Sequence, residues 1–239
     1  MRQEEELDIG QNIEKVRARI YQAAQRSGRN ENEIDLIAVT KQKPAALIKE
    51  LIENGIKRIG ESYVKEALFK IDLLKEFDIE WHMIGNIQRG REKNVANHFQ
   101  VVHSIGSLKT AQEINRFAHK NGKTIQVYLE LNVSGEASKH GWDAASDNRV
   151  ENMLLEIEEI LTLGSLKVTG LMTMAPYSNN PEDARVYFVR MRQIRERIRT
   201  EIPDSGITGL SMGMSGDFEV AVEEGATVLR IGSALVGPR

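Results

Sequence analysis

Residues 35–61 read DLIAVTKQKPAALIKELIENGIKRIGE, and this stretch decides the fold. Leu36-Ile37-Ala38-Val39 is an apolar run without alternation, the mark of a strand buried on both faces, as in a parallel sheet. Pro44 sits where the first turn of a helix favours it, and Asn54-Gly55 stops the helical pattern that follows. Arg58-Ile59-Gly60-Glu61 then opens a second strand-like run. Strand, helix and strand in so short a span make a βαβ unit.

The pattern continues to the end of the chain. A helix over about Val64–Phe77 leads to Glu80–Gly85, and a helix near 91–99 leads to Val101–Ile105. Ser107 is placed to cap a helix that runs to Asn121-Gly122. Ile125–Val133 is followed by a helix around 147–163, Val168–Met174 by one from about Pro181 to Ile202, and Gly209–Met212 by one near 216–224, before Thr227–Gly232 closes the series. Eight strand-like runs alternating with helices predict an α/β chain folded as a (β/α)8 TIM barrel. An open doubly wound sheet is the alternative, weakened because no G-x-G-x-x-G follows the first run. No linker or composition break interrupts residues 1–239, which read as a single domain with the barrel over about 35–239. Ahead of it, about 4–27 carries Ile9, Ile13, Val16, Ile20 and Ala23 at helical spacing, an extra amphipathic helix expected to cover one end of the barrel.

Composition narrows the function. The chain has 239 residues, 32 Lys plus Arg against 35 Asp plus Glu, and no cysteine. Disulfides, thiolate nucleophiles and Cys-ligated metals are therefore excluded. A slight net acidity argues against nucleic-acid binding. No apolar run is long enough to span a bilayer, and MRQEEELD lacks the basic start and apolar core of a signal peptide, so a cytoplasmic protein with no membrane partner is expected.

A barrel of this kind gathers its chemistry at the C-terminal ends of its strands. Lys41 follows the first run on the face of Ile37 and Val39. It reads either as a desolvated, nucleophilic amine or as a strand-end lysine that meets a carboxylate or water. Gly213-Met214-Ser215-Gly216 and Gly232-Ser233 follow the seventh and eighth runs, where backbone N–H groups can hold a phosphate; two ordinary glycine turns are the plainer reading. Asp217 occupies the last glycine position of a G-x-S-x-G elbow, which discounts a serine hydrolase. Arg230 inside Val228–Ile231 needs a partner: either a buried ion pair, with Glu61 the candidate, or a ligand. The five histidines show no metal spacing, so no metal site is expected; His98 and His119 read as surface residues, His82 and His103 as structural hydrogen-bonding ones. Met172, Met174, Met212 and Met214 read as packing, and the arginines of 185–199 as a solvated helix face.

The stretches IAVTKQKP (37–44), IGESYVKEA (59–67), WHMIGNIQ (81–88), VHSI (102–105), LELNVSGEASKHG (129–141), GLMTMAP (170–176), LSMGMSGD (210–217) and VLRIGSALVGPR (228–239) occur in one order across nearly the whole barrel. In these the sequence resembles the pyridoxal 5′-phosphate homeostasis proteins, the YggS/PROSC family, whose barrel is like the alanine racemase N-terminal domain. The resemblance implies that pyridoxal 5′-phosphate (PLP) is the cofactor and that Lys41 is the lysine of its internal aldimine. It implies that Ser215 with the backbone around Gly213 and Met214 forms the phosphate cradle, completed by Gly232 and Ser233. It also implies that Arg230 faces the pyridine nitrogen. Ser62 stands where the family has asparagine, Thr40 where it has serine, and Arg89-Gly90-Arg91 where it has Ser-Asn-Lys.

The expected function is intracellular PLP homeostasis: binding and delivery, with PLP-dependent apoenzymes as recipients and little or no catalysis. An arginine opposite the ring nitrogen favours the unprotonated ring, a weak electron sink. The added β-domain that supplies an acid/base in the related racemases is not expected in a chain ending at Arg239. A monomer or weak dimer is expected. The alternatives are a PLP-dependent amino-acid racemase of low activity, a Schiff-base aldolase for sugar phosphates, and a purely structural barrel.

Overall fold

A computed structural model describes residues 8–238. Its strands are β1 (Asp35–Val39), β2 (Arg58–Glu61), β3 (Glu80–Met83), β4 (Val101–Ile105), β5 (Ile125–Asn132), β6 (Trp142–Asp143), β7 (Leu166–Met172), β8 (Gly209–Ser211) and β9 (Val228–Ile231). All pair in parallel. The order β4-β3-β2-β1-β9-β8-β7-β5 closes on itself through β4–β5, leaving β6 as a short addition beside the end of β5. The fold is the expected (β/α)8 TIM barrel. Two residues carry no periodic signal, which is why β6 escapes the sequence reading.

The helices are α1 (Ile9–Arg26), α2 (Ala45–Glu53), α3 (Val64–Leu73), α4 (Glu92–His98), α5 (Leu108–Lys120), α6 (Asp147–Leu161), α7 (Arg185–Glu201), α8 (Phe218–Glu223) and α9 (Ser233–Val236). Ser107 caps α5 as anticipated, accepting from the Thr110 N–H. The helix expected over Val64–Phe77 stops at Leu73, and the span from Pro181 begins as a 3-10 turn, Pro181–Ala184, before α7. Asp8 caps α1 by accepting from the Gln11 N–H. Positions 4–7 of the expected first helix lie outside the described residues.

The sequence reading places α1 over one end of the barrel; the structure seats it in the outer layer, against α8 and α9. Its buried stripe of Ile9, Ile13, Val16, Ile20 and Ala23 is the predicted one. The polar contacts explain the seating: the Asn12 amide donates to the Leu235 carbonyl at 3.1 Å, and Arg19 and Arg26 pair with Glu219 and Glu223 of α8.

The main core lies between strands and helices. Inside the barrel a second, small cluster joins Ile37, Val101, Tyr128, Met172 and Val228. Tyr128 fits there because two strand glycines yield space. A Cβ on Gly170 would stand 2.3 Å from the Gly209 carbonyl oxygen and 2.7 Å from Tyr128 Cε1. The Tyr128 ring stacks on His103, with 4.5 Å between centroids. Gly170→Ala is expected to destabilise the fold by about 2 kcal/mol through overpacking against backbone. Urea denaturation measures this, and a loss under about 0.5 kcal/mol, the range of a neutral substitution, would mean the strands part freely here.

Candidate functional site

The site begins with the turn after β1. The Lys43 N–H donates to the Thr40 carbonyl at 3.0 Å, so Thr40–Lys43 is a tight turn with Lys41 at its second position. Its third residue, Gln42, has φ 62°, the left-handed region that favours glycine. A buried charge cluster holds this strained residue. The Gln42 N–H donates to Glu66 Oε1 at 2.6 Å, and Lys70 Nζ donates to the same oxygen at 2.6 Å. Lys70 Nζ also donates to the Thr40 carbonyl and to Glu61 Oε1, each at 2.7 Å. Thus one ammonium fixes the backbone on both sides of Lys41: directly at Thr40, and through Glu66 at Gln42. Burial pushes the Glu61 carboxyl up, a shift opposed by its bonds from Lys70 and Thr40.

Half-buried Lys41 stands between two cavities. The first, about 430 Å³, is a cleft over the ends of β1, β8 and β9 that also meets Ser62, Met174, Met214, Ser215, Arg230, Gly232 and Ser233. The second, about 520 Å³, shares Lys41, Ser62 and Met174 and adds Asn86, Arg91, Glu130 and His140. Of the sequence-predicted site residues, Lys41, Ser62, Met214, Ser215, Arg230, Gly232 and Ser233 therefore meet in one cleft. Gly213 sits beneath it. Its carbonyl accepts the Arg230 N–H, its φ is 95°, and a Cβ there would stand 2.6 Å from the Ala221 Cβ. Met214 lines the cleft, but its N–H is taken by Asp217 Oδ1 at 2.6 Å.

Donors converge on the far side. Ser215 Oγ accepts the N–H groups of Gly232 and Ala234, each at 3.2 Å. Two backbone donors aimed at one oxygen are the arrangement that a phosphoryl oxygen needs. The residues present fit a phosphorylated ligand.

Arg230 is buried, and its ion pair with Glu61 does not form. Its Nη1 donates to Ser211 Oγ at 2.6 Å and its Nη2 to the Thr173 carbonyl at 2.9 Å, while Glu61 belongs to Lys70. Burial lowers the Arg230 pKa to about 10, against the pull of Asp217 and Glu130, so it remains a cation at neutral pH. Glu130 is buried too, and desolvation raises its pKa to about 7, with Arg230 opposing. Asp217 is pushed up by burial as well.

Glu130 and Asp217, which line the two cavities, and Lys70, which holds the Lys41 turn, were not among the predicted site residues. Glu130 left a signal, a lone charge within Tyr128-Leu129-Glu130-Leu131. Lys70 left none, since its partners converge only in three dimensions. His82 and His103 are buried hydrogen-bonding residues, as read. Met172 and Met212 are core, whereas Met174 and Met214 line the cleft. The arginines of α7 are largely ion-paired rather than simply solvated: Arg185 meets Glu182, Glu223 and Glu224.

Fold and site together define a barrel of the alanine racemase N-terminal domain class, a family that matches residues 11–239. The chain is 41% identical to the pyridoxal phosphate homeostasis protein of Aquifex aeolicus, over 98% of this chain and 99% of that one. It is 39% identical to the protein of the same name from Pseudomonas aeruginosa, over 97% and 96%. It also resembles the solved structure of PipY from Synechococcus elongatus with PLP bound, at TM-score 0.83 and 29% identity, over 96% of this chain and 100% of that one. The chain belongs to the pyridoxal phosphate homeostasis protein family.

Two outcomes test the electrostatics. Lys70→Met leaves Glu61 and Glu66 facing each other without their cation and is expected to cost about 3–5 kcal/mol in urea denaturation. A loss below about 1 kcal/mol, the worth of an exposed pair, would show that the cluster does not hold the turn. Glu130, raised when folded, binds its proton more tightly in the folded state. The contribution of Glu130 to stability should therefore be full below pH 4.5 and fall as pH rises to about 7, by on the order of 3 kcal/mol. Glu130→Gln should remove that slope and gain stability at pH 8; parallel stability–pH curves for the two proteins would refute it.

Proposed function

We propose that this chain binds PLP in the cleft, holds it covalently through Lys41, and serves as an intracellular carrier that releases it to PLP-dependent apoenzymes with little or no catalysis. The observation that carries the reading is the convergence of three handles on one cleft. These are the lysine of the β1 turn, the donor pair of Gly232 and Ala234 gathered at Ser215, and the buried guanidinium of Arg230.

When bound, PLP would supply an aldehyde within the cleft that Lys41 lines, the group through which the lysine amine would hold it reversibly. The rest is the protein's part. The cradle at Ser215, Gly232, Ala234 and Ser233 would take the phosphate, with Gly213 shaping the turn and Met214 and Ser62 lining the same cleft. Arg230 is a donor only and stays charged, so it favours an unprotonated ring nitrogen. That weakens the ring as an electron sink, which suits holding the cofactor better than carbanion chemistry. The names of the relatives and the PLP-bound PipY structure support the same reading.

The test is the visible spectrum of the protein with added PLP, followed by borohydride reduction and mass mapping. A violet-region band and a reduced adduct on Lys41 are expected, and both should vanish in Lys41→Ala. No band and no adduct in the wild type would defeat the cofactor reading. Amino-acid racemisation that tracks protein concentration and is lost in Lys41→Ala would replace the carrier with an enzyme.

A further inference from the structure

A line of polar residues that the cleft does not use directly crosses the barrel interior. Glu80 begins β3 at the N-terminal mouth, where Arg58 approaches it at 3.5 Å and itself pairs with Asp35 at 2.9 Å. His82 Nε2 lies 2.7 Å from Glu80 Oε1, and His82 Nδ1 lies 2.9 Å from His103 Nε2. His103 Nδ1 lies 2.9 Å from Ser211 Oγ, which accepts from Arg230 Nη1 at 2.6 Å. The line is an unbroken hydrogen-bonded column from the far mouth to the cleft.

Its direction is fixed. The bond from His82 holds the Glu80 carboxyl below its usual range, so Glu80 is ionised and can only accept. His82 Nε2 must then carry a hydrogen. Burial keeps His82 neutral, so its Nδ1 is bare and accepts from His103 Nε2–H. Burial keeps His103 neutral more firmly still, aided by the charge of Arg230, so its Nδ1 accepts the Ser211 hydroxyl hydrogen. Ser211 Oγ is then an acceptor toward Arg230, which can only donate. A donor-only group at one end and an acceptor-only group at the other admit one arrangement with both rings neutral. Every donor points away from the cleft.

We infer that Glu80 is a positioning residue for Arg230, acting through His82, His103 and Ser211, and so sets from the opposite mouth how the guanidinium is presented to a ligand ring. The inference rests on the reading of PLP in the cleft. With Glu80 in place, the column holds Nη1, the Thr173 carbonyl holds Nη2, and the guanidinium has one orientation. Without an acceptor for His82 Nε2–H, the rings can reverse. His103 Nδ1–H would then compete with Arg230 for Ser211 Oγ and strand the hydroxyl hydrogen.

The experiment compares the wild type, Glu80→Gln and Glu80→Leu. Long-range ¹H–¹⁵N NMR of the PLP-free protein reads the tautomers. Nε2–H on both neutral rings is expected in the wild type and in Glu80→Gln, whose amide oxygen still accepts, with reversal or mixing in Glu80→Leu. PLP titration followed by absorbance reads the cleft: Glu80→Leu should shift the band and weaken binding about fivefold, on the order of 1 kcal/mol, while Glu80→Gln stays near wild type. A wild-type imidazolium or Nδ1–H tautomer would overturn the column. A Glu80→Leu protein with altered tautomers but an unchanged band and affinity would reduce Glu80 to a structural role and also overturn the inference. If Glu80→Leu does not fold, Ser211→Ala cuts the same column beside Arg230 and should give the same band shift. A wild type that forms no band would fail the cofactor reading, and the positioning role with it, while the column's direction is judged separately by the tautomers.

Discussion

The pairing of β4 with β5 is the contact on which the rest depends. A parallel sheet left open would expose two edges and spread its strand ends along a line. Closed, it has no edge, and those ends come round into one ring. Lys41 from the first strand then stands near Ser215 and Gly232 from the last two, although most of the chain separates them. Closure also seals the interior. Each side chain that points inward must fill space or find a partner among the other inward residues.

The polar interior follows from that requirement. A buried cation without acceptors would cost far more than a fold of this size can spare. Arg230 has Ser211 and the Thr173 carbonyl at hydrogen-bond distance, with Asp217 and Glu130 near enough to act on its charge. Lys70 solves the same problem outside the ring, with three oxygens around one ammonium. In both places charge has been placed where only a fixed geometry can satisfy it. That turns an energetic liability into precision: the Lys41 turn is held by Lys70 and Glu66, and the Arg230 guanidinium by Ser211 and the Thr173 carbonyl.

The barrel was legible because its strands are buried on both faces, so Leu36–Val39 stands out as an apolar run and short strand-like runs recur between helical stretches. That Lys41, Ser215, Gly232 and Ser233 share one cleft was legible for a related reason, since residues directly after such runs fall on the C-terminal rim of the barrel. What failed to show depends on convergence. Lys70 occupies a helix position that any lysine might fill, and only the fold brings Glu61, Glu66 and the Thr40 carbonyl to it. Arg230 announced its need for a partner but not which one, and the candidate the sequence suggested, Glu61, was already committed to Lys70. The docking of α1 depended on Asn12, Arg19 and Arg26 finding acceptors on α8 and α9, and no spacing within α1 reveals that.

Lys41 stands on the partition between two chambers rather than at the bottom of one. Ser215 lines the first of these and not the second. Two openings therefore reach one amine, the first lined by Ser215, Arg230 and Gly232 and the second by Asn86, Arg91 and Glu130. A group at the Lys41 position can thus be approached from two sides, and closing one cavity would leave the other open to it.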